Sequence, residues 1–322
     1  MRVAVRLWPL IAIGAIASRP AGQVRSPGGR SSAALVYDGT RKEMLLYGGT
    51  RTDSSAHGDA FPSDLWAWNG RSWRQLIPSN GVEPPGRALP HLAYDAARQR
   101  VVMFGGRRET TRGSVELPRD IWEWDGTRWH EITSDTLRIL HAVVAYDPAH
   151  RRVVLFGGIG KAGISRTVME WDGRTWHGRD NGGPPAGTAD AFPVVSSVTP
   201  EGELVVVTMQ SGRSSDSVAS LTWTWSGISW TRHELGPAIT SLQPAAGAPD
   251  GSMYVYQTSA FWLSAPVMHM RSPFGVWTHL SPQVRPEIHG TPAAAYDLDR
   301  KRFVIYSDAL WEWNGARWEK RP

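Results

Sequence analysis

The sequence predicts an all-β protein in which six blades of four antiparallel strands close into a propeller. Six tryptophans each end the same short phrase, seen most fully as Trp122-Glu-Trp124-Asp125-Gly126-Thr-Arg-Trp129. The phrase recurs at intervals of roughly 41 to 56 residues, near the period of a propeller blade. The chain also combines 33 glycines and 23 prolines with no long segment of helical apolar spacing. That balance is typical of many short strands joined by turns.

The tryptophans themselves mark the repeat. The closing residues are Trp73, Trp129, Trp176, Trp230, Trp277 and Trp318. Of the 17 tryptophans, only Trp8 and Trp262 fall outside the pattern. We expect the large indoles to fill the wedges between neighbouring blades, where each buries well over a hundred square ångströms.

The first 17 residues are predicted to be a signal peptide. Arg2 and Arg6 precede an apolar run over 7–16, and Ala15-Ile16-Ala17 has the small-x-small form that signal peptidase cuts. Cleavage is expected between residues 17 and 23, and an uncleaved membrane anchor is the alternative. The run is too short to span a bilayer. We therefore expect a secreted or periplasmic protein without a transmembrane segment, with a linker or edge strand over 18–30 and the propeller over 31–322.

Composition narrows the class of partner. The chain has no cysteine, so we expect neither disulfides nor a lipid attached to an N-terminal cysteine. The formal charge of +5 falls to +3 when the two charges of Arg2 and Arg6 are removed. That bias is too weak for nucleic acid as the main partner. A monomer that needs no cofactor is expected.

Blade 2 shows how one unit is built. Its predicted strands are 91–94, 101–104, 121–124 and 128–132. Asp95 and Asp125 open the two tight turns, where their carboxylates can accept hydrogen bonds from turn amides, and Gly126 can supply the positive φ of a two-residue hairpin. Gly105 and Gly106 follow the second strand, where a glycine pair lets another backbone approach closely.

The other blades repeat these features with losses. The glycine pair recurs in blades 1 and 3 as Gly48-Gly49 and Gly157-Gly158. Blade 4 has Thr208-Met209 in its place. Blade 5 is the most degraded, since it lacks the pair and has Met268-His-Met270 where the two indoles are expected, whereas blade 6 recovers Trp311-Glu-Trp313. We expect six blades, of which blades 4 and 5 are irregular.

The combined motifs resemble one repeat family. A diglycine after the second strand, an Asp-x-Trp such as Asp64-Leu-Trp66 opening the third, and a tryptophan in the fourth resemble the kelch repeat over nearly all of the mature chain. The resemblance implies a six-bladed propeller like the central domain of galactose oxidase, and it implies no definite activity. Copper chemistry of the galactose oxidase kind is excluded as known, because it uses a tyrosine cross-linked to cysteine. Trp-Asp repeats are the alternative, but their Gly-His signature is missing.

The mode of ring closure is left open by the sequence. Both the first and the last unit contain four predicted strands. Residues 23–30 therefore either add an edge strand, or blade 6 packs directly against blade 1.

All long connections are predicted to share one face. Strands alternate in direction within a blade, so the loops between second and third strands lie on the same side as the links between blades. We call this side the loop face and the opposite side the turn face. The long loops are 50–63, 107–119, 159–167 and 211–219. Long loops on a rigid scaffold are where recognition is usually placed.

Arginines concentrate on the predicted loop face. The candidate ligand-binding residues are Arg30, Arg87 and Arg138 near the channel mouth, Arg51, Arg107 and Arg108 in the long loops, and Trp262. Arg30 and Arg87 stand seven residues before their blade's tyrosine, and Arg138 stands eight before its own. Guanidinium groups suit a carboxylate or another anion, and ordinary solvated charge is the alternative. Trp262 is either a contact residue or a core filler of blade 5.

Catalytic motifs are not evident. His91, His141 and His289 precede their blade's tyrosine by odd numbers of residues, which places them on the opposite strand face. Their unequal offsets do not fit one metal ion, so we interpret them as structural. The sequence offers no convincing pair of carboxylates for acid and base roles on the loop face and no Gly-x-Ser-x-Gly elbow.

These observations predict an exported recognition module that binds a protein or a glycan through its loop face. The alternative is an epimerase or mutarotase acting on an acidic sugar at the channel mouth. Exported bacterial sugar-acid mutarotases share the six-bladed kelch architecture, and an arginine-rich mouth suits a carboxylated sugar. No motif of this chain matches a catalytic residue of those enzymes.

Overall fold

A computed structural model of the chain describes residues 26–52, 61–109, 114–132, 138–160, 163–179, 193–199, 201–210, 219–237, 245–258 and 266–322. Six four-stranded antiparallel sheets follow one another along the chain. The predicted all-β propeller of six blades is therefore confirmed. No helix long and apolar enough to cross a membrane occurs in these described ranges.

Each blade is a continuous stretch of sequence. Blade 1 contains β1 (Arg30–Asp38), β2 (Glu43–Arg51), β3 (Leu65–Trp68) and β4 (Trp73–Leu76). Blade 2 contains β5 (His91–Asp95), β6 (Arg100–Phe104), a short hairpin of β7 (Arg108–Glu109) and β8 (Val115–Glu116), then β9 (Ile121–Trp124) and β10 (Trp129–Ile132). Blade 3 contains β11 (Val143–Asp147), β12 (Arg152–Phe156), a hairpin of β13 (Ile159–Gly160) and β14 (Gly163–Ile164), then β15 (Val168–Trp171) and β16 (Trp176–Arg179).

The second half of the ring has the same plan. Blade 4 contains β17 (Pro193–Val198), β18 (Leu204–Gln210), β19 (Ala219–Trp225) and β20 (Trp230–Gly236). Blade 5 contains β21 (Ala245–Gly247), β22 (Met253–Gln257), β23 (Val267–Arg271) and β24 (Trp277–Leu280). Blade 6 contains β25 (Ala293–Asp297), β26 (Arg302–Tyr306), β27 (Leu310–Trp313) and β28 (Trp318–Arg321). The first strands of successive blades contact one another around the ring, so they form its inner wall.

The closing tryptophan of a blade packs against an aromatic ring at the end of the preceding blade's second strand. The ring centroids lie 4.8–5.8 Å apart in five pairs, Trp73–Tyr306, Trp129–Tyr47, Trp176–Phe104, Trp230–Phe156 and Trp318–Tyr256. All are tilted or edge-to-face, the geometry that the ring quadrupoles favour. The predicted filling of inter-blade wedges by these indoles is observed in each pair.

The boundary between blades 4 and 5 lacks this pair of rings. Val207 stands where the other second strands end in tyrosine or phenylalanine, as the strand registers show. Trp277 is only partly buried, against an aliphatic cluster that includes Val205 and Met253. This boundary is thus packed by branched and flexible side chains in place of stacked rings.

The ring closes by direct packing of blade 6 against blade 1. Both blades are complete four-stranded sheets, and Trp73 meets Tyr306 at 5.3 Å. The Trp68 Nε1–H donates to Glu312 Oε1 at 2.9 Å, and the Arg30 amide donates to the Ser307 carbonyl at 3.0 Å. No strand is exchanged between first and last blades in the part of the chain that the structure describes.

The glycine pair after the second strand is required because the link to the next blade passes directly over it. Gly48 and Gly49 have φ values of +72° and +91°, which side-chain-bearing residues rarely adopt. A Cβ on Gly48 would lie 2.4 Å from the Arg87 carbonyl oxygen, and the Gly49 amide donates to that same oxygen at 2.9 Å. The pair therefore admits the link that enters the next blade.

The predicted turn chemistry is also present on the turn face. Asp125 Oδ1 accepts hydrogen bonds from the backbone amides of Thr127 and Arg128 at 2.8 and 2.9 Å. Gly126 has a φ of +96°. These aspartates are therefore structural parts of the hairpins.

Blade 5 requires a correction of the sequence alignment. The strand register pairs Arg271 with Trp277, as it pairs Trp68 with Trp73. The two indole positions of blade 5 are therefore filled by His269 and Arg271, and the prediction that Met268 and Met270 fill them was wrong. The turn between Arg271 and Trp277 contains one residue more than in blade 1, which shifts the count by one.

Replacing Trp73 by alanine tests the aromatic closure. We expect the free energy of unfolding to fall by about 3–5 kcal/mol, because the indole is buried against Tyr306 and its loss leaves a cavity. Urea unfolding measures the change. The matched control is Trp277→Ala, which should cost clearly less because Trp277 is only partly buried. Equal losses in the two variants would contradict the role given to the ring pairs.

Candidate functional site

Two extra hairpins build up the loop face above blades 2 and 3. The hairpins β7–β8 and β13–β14 follow the second strands of these blades. Isolated bridges join Ala88 to Arg107 and Leu140 to Ile159, so the base of each hairpin is tied to the link that enters its own blade. These loops are thereby fixed against the mouth of the channel.

Arg87 is held inside this face by its own blade. Its side chain is 0% exposed. Nη1 and Nη2 donate to the two carboxylate oxygens of Asp120 at 2.8 and 2.7 Å, Nη1 also donates to the Gly105 carbonyl, and Nε donates to the Pro85 carbonyl. Asp120 also accepts a hydrogen bond from Trp122 Nε1. The aspartate of the Asp-x-Trp motif therefore secures a buried guanidinium.

Arg30 repeats this arrangement in blade 1. It is likewise 0% exposed, and its Nη2 donates to Asp64 Oδ2 at 2.8 Å. Further donors reach the carbonyls of Pro27 and Gly48, and Trp66 Nε1 donates to Asp64. We call these two arrangements the Arg30–Asp64 and Arg87–Asp120 clasps.

The carboxylates of both clasps are stabilised in their charged form. Burial alone would raise the pKa of Asp64 and of Asp120. Hydrogen bonds and charge from Arg30 and Arg87, with the indole N–H groups, outweigh it and hold each pKa below its usual value. The guanidinium donors at these two predicted positions are engaged within the protein, and their role in ligand binding stays a prediction.

Blade 3 lacks the clasp. The Gly106 amide donates to the Ile139 carbonyl as the Gly49 amide donates to that of Arg87, so Ile139 occupies the clasp position. The aspartate is replaced by Thr167, which precedes β15 as Asp120 precedes β9. Cation and anion have been exchanged together for uncharged residues.

Arg138 is consequently out of register with Arg30 and Arg87. The offset of eight residues from Tyr146, against seven in the other blades, reflects this difference. Arg138 is half-buried, and its Nε is buried without a hydrogen-bond partner among the described residues. This arginine is therefore available for a further contact.

Two uncharged histidines stand on the same links at the entrance to blades 2 and 3. Burial, with the nearby His141, lowers the pKa of His91 to about 4, and burial with the charge of Arg107 lowers that of His141. His91 Nε2 is buried without a partner in the described ranges. A Cβ on Gly105 would meet both the His91 ring and the carbonyl of Ile139, the residue after Arg138. We call Arg107, Arg138, His91 and His141 the mouth cluster.

The remaining predicted binding residues are Arg51, Arg108 and Trp262, and His289 is interpreted as structural. Arg51 is exposed at the end of β2. Arg108 pairs with Glu116 across the β7–β8 hairpin at 2.5 Å. His289 is exposed and lies 2.5 Å from Asp308 Oδ2 through its Nδ1. Trp262 lies outside the described residues, so its role stays a prediction.

The mouth cluster can bind an anion but shows no metal chemistry. Arg107 is exposed, and guanidinium groups bind carboxylates through charge-assisted hydrogen bonds. Neutral imidazoles can add a donor or an acceptor. No group of three or more His, Cys, Asp or Glu side chains able to hold a metal ion occurs among the residues that the structure covers.

Comparison with known proteins supports the propeller fold but shows no family or activity. No family model matches the chain, and no curated protein matches it. A solved structure titled "Structure of YjhT" superimposes with a TM-score of 0.62 at 10% identity, covering 92% of this chain and 99% of the other. This chain is thus similar in fold to that propeller.

Replacement of one clasp partner should be far more harmful than replacement of both. Arg87→Ile leaves the partly buried Asp120 carboxylate with only the more distant Arg108, 3.8 Å away, and we expect it to cost about 3 kcal/mol of unfolding free energy. The double variant Arg87→Ile with Asp120→Thr copies blade 3 and should cost less than half as much. Recovery stays incomplete because Trp122 Nε1 loses its acceptor. Urea unfolding measures both, and additive losses would refute the clasp.

We expect the stability of the wild type and of the double variant to depend differently on pH. The folded-state pKa of Asp120 lies below its unfolded value of about 3.9, so its contribution is present above that pH and is lost as the pH falls through the folded value. The free energy of unfolding of the wild type should therefore fall more steeply below about pH 4 than that of the double variant. Parallel curves would show that the clasp does not titrate as described.

Proposed function

We propose that this propeller is an exported recognition module whose loop face binds a protein or glycan that carries carboxylates. The observation that carries the proposal is the mouth cluster. It comprises an exposed arginine, an arginine with an unpartnered Nε and two uncharged histidines, spread over blade 2 and the entrance of blade 3, which lacks the clasp of blades 1 and 2.

The proposal includes two further points, that the blades are kelch repeats and that the protein is exported. The diglycine, the Asp-x-Trp and the closing tryptophan support the first, and the basic, apolar and small-residue order of residues 1–17 supports the second. The clasp explains why Asp-x-Trp recurs, since the aspartate binds both an arginine and the tryptophan of its own motif.

The geometry favours a carboxylate for a physical reason. Buried polar groups without partners cost free energy, and the Arg138 Nε donor and the His91 Nε2 atom both lack a partner among the described residues. A carboxylate accepts several hydrogen bonds and carries the charge that arginine favours. Arg107 is placed to meet the ligand from solvent.

The alternative is an epimerase or mutarotase acting on an acidic sugar at the same mouth. It is favoured by the combination of arginine with histidines whose lowered pKa keeps them neutral. A neutral imidazole can accept a proton, and a second group must return one for the sugar to change configuration. No described residue is yet assigned that second role.

A glycan array that includes uronic acids, followed by calorimetric titration of the best binder, tests recognition. We expect Arg107→Ser to weaken binding by about 10- to 100-fold, because it removes a charge-assisted hydrogen bond. The control is Arg71→Ser, an exposed arginine of the turn face, which should leave affinity unchanged. Loss in the control, or none in Arg107→Ser, would refute the loop face as the binding surface.

Anomer exchange of the same acidic sugar, followed by nuclear magnetic resonance, separates the two functions. Acceleration that is lost in His141→Asn would support the enzyme. Asparagine is chosen because His141 has a φ of +55°, a conformation that asparagine tolerates. Binding without acceleration would support the recognition module.

A further inference from the structure

Arg271 occupies a position that the other five blades reserve for tryptophan. The equivalent residues, each paired with the closing tryptophan of its blade, are Trp68, Trp124, Trp171, Trp225 and Trp313. Arg271 has the same pairing with Trp277 and is 4% exposed. A guanidinium has therefore replaced an indole in the wedge between blades 4 and 5.

This buried cation has no anion within the described protein. Its Nε is buried without a partner, and no described residue forms an ion pair or hydrogen bond with its side chain. Burial lowers the pKa of Arg271. An unpaired buried charge is costly, so an anion placed beside Arg271 would be strongly favoured.

One boundary of the ring shows a carboxylate bonded to the residue at this position. At the closure of the ring, Trp68 donates to Glu312 of the preceding blade, and Glu312 also pairs with Arg300 and Arg321. Blades 2 and 3 carry buried glutamates at the position of Glu312, namely Glu123 and Glu170, each paired with arginine. The wedge has a repeated place for a carboxylate.

Blade 4 has lost that carboxylate. Thr224 stands at the glutamate position, is 7% exposed, and shares a hydrogen bond of 2.9 Å with His233 Nε2. His233 is exposed. Burial and the charge of Arg271 lower the pKa of His233, against the opposing effect of the Glu203 carboxylate. Thr224 faces blade 5 as Glu312 faces blade 1, so the Thr224–His233 pair and Arg271 border the same wedge.

We propose that the wedge between blades 4 and 5 binds a small carboxylate, held by Arg271 with Thr224 and His233 beside it. The ligand takes the place that a glutamate side chain fills in blades 2, 3 and 6. Threonine is shorter than glutamate and uncharged, and its partner His233 is exposed to solvent. The site adjoins the hairpin between third and fourth strands, on the turn face, so it is distinct from the mouth cluster.

Thermal unfolding with acetate tests the site, with sodium chloride replaced at constant ionic strength. At about ten times the dissociation constant, acetate should raise the wild-type Tm by about 2–4 °C. Thr224→Glu should unfold at a higher Tm in chloride and gain nothing from acetate, because the glutamate fills the site. Arg271→Trp restores the indole of the other blades and should also be unresponsive.

The responses of the wild type and the two variants to acetate decide whether the proposal holds. No response of the wild type, or an equal response of Arg271→Trp, overturns the proposal. A response to inorganic phosphate without one to acetate overturns the assignment of a carboxylate. If Thr224→Glu does not fold, acetate-dependent shifts of the His233 ring resonances in the wild type, absent in Arg271→Trp, give the same decision. Glycan binding at the loop face is unaffected by either result.

Discussion

The contact between a closing tryptophan and the aromatic end of the preceding blade is the interaction on which the ring depends. A four-stranded blade cannot cover its own two faces, so each wedge must be filled by large side chains. Edge-to-face rings fill five of six wedges, including the one that closes the circle between Trp73 and Tyr306. The sixth wedge, between blades 4 and 5, relies on aliphatic packing. Departures from the repeat are concentrated there.

Charge inside the propeller follows the same logic of replacement in pairs. Arg87 and Asp120 are exchanged together for Ile139 and Thr167 in blade 3, which avoids leaving one buried charge alone. Blade 5 breaks this rule, because Arg271 has appeared without an acidic partner in the described chain. An unpaired buried cation is a physical sign of a partner that the described residues do not supply.

Local features of the fold could be predicted from the sequence, whereas the clasps could not. Diglycines, Asp-Gly turns and tryptophan spacing act within one blade and at fixed distances along the chain, so they are readable as patterns. The burial of Arg87 depends on Asp120, which is 33 residues away in the sequence. No local pattern around Arg87 distinguishes it from the exposed arginines. The extra residue in the turn between the third and fourth strands of blade 5 hid the position of Arg271.

Closure without strand exchange means that the seam between blade 6 and blade 1 is held by side-chain packing and hydrogen bonds between two complete blades, as the other boundaries are. The interfaces between blades, and not the order of the blades along the chain, then specify their arrangement in space. If the termini were joined and the chain opened in another link, such as residues 77–90 between β4 and β5, every wedge would keep the same two surfaces. The circle of blades is thus compatible with circular permutation, and the order of synthesis is free to vary while the interfaces stay unchanged.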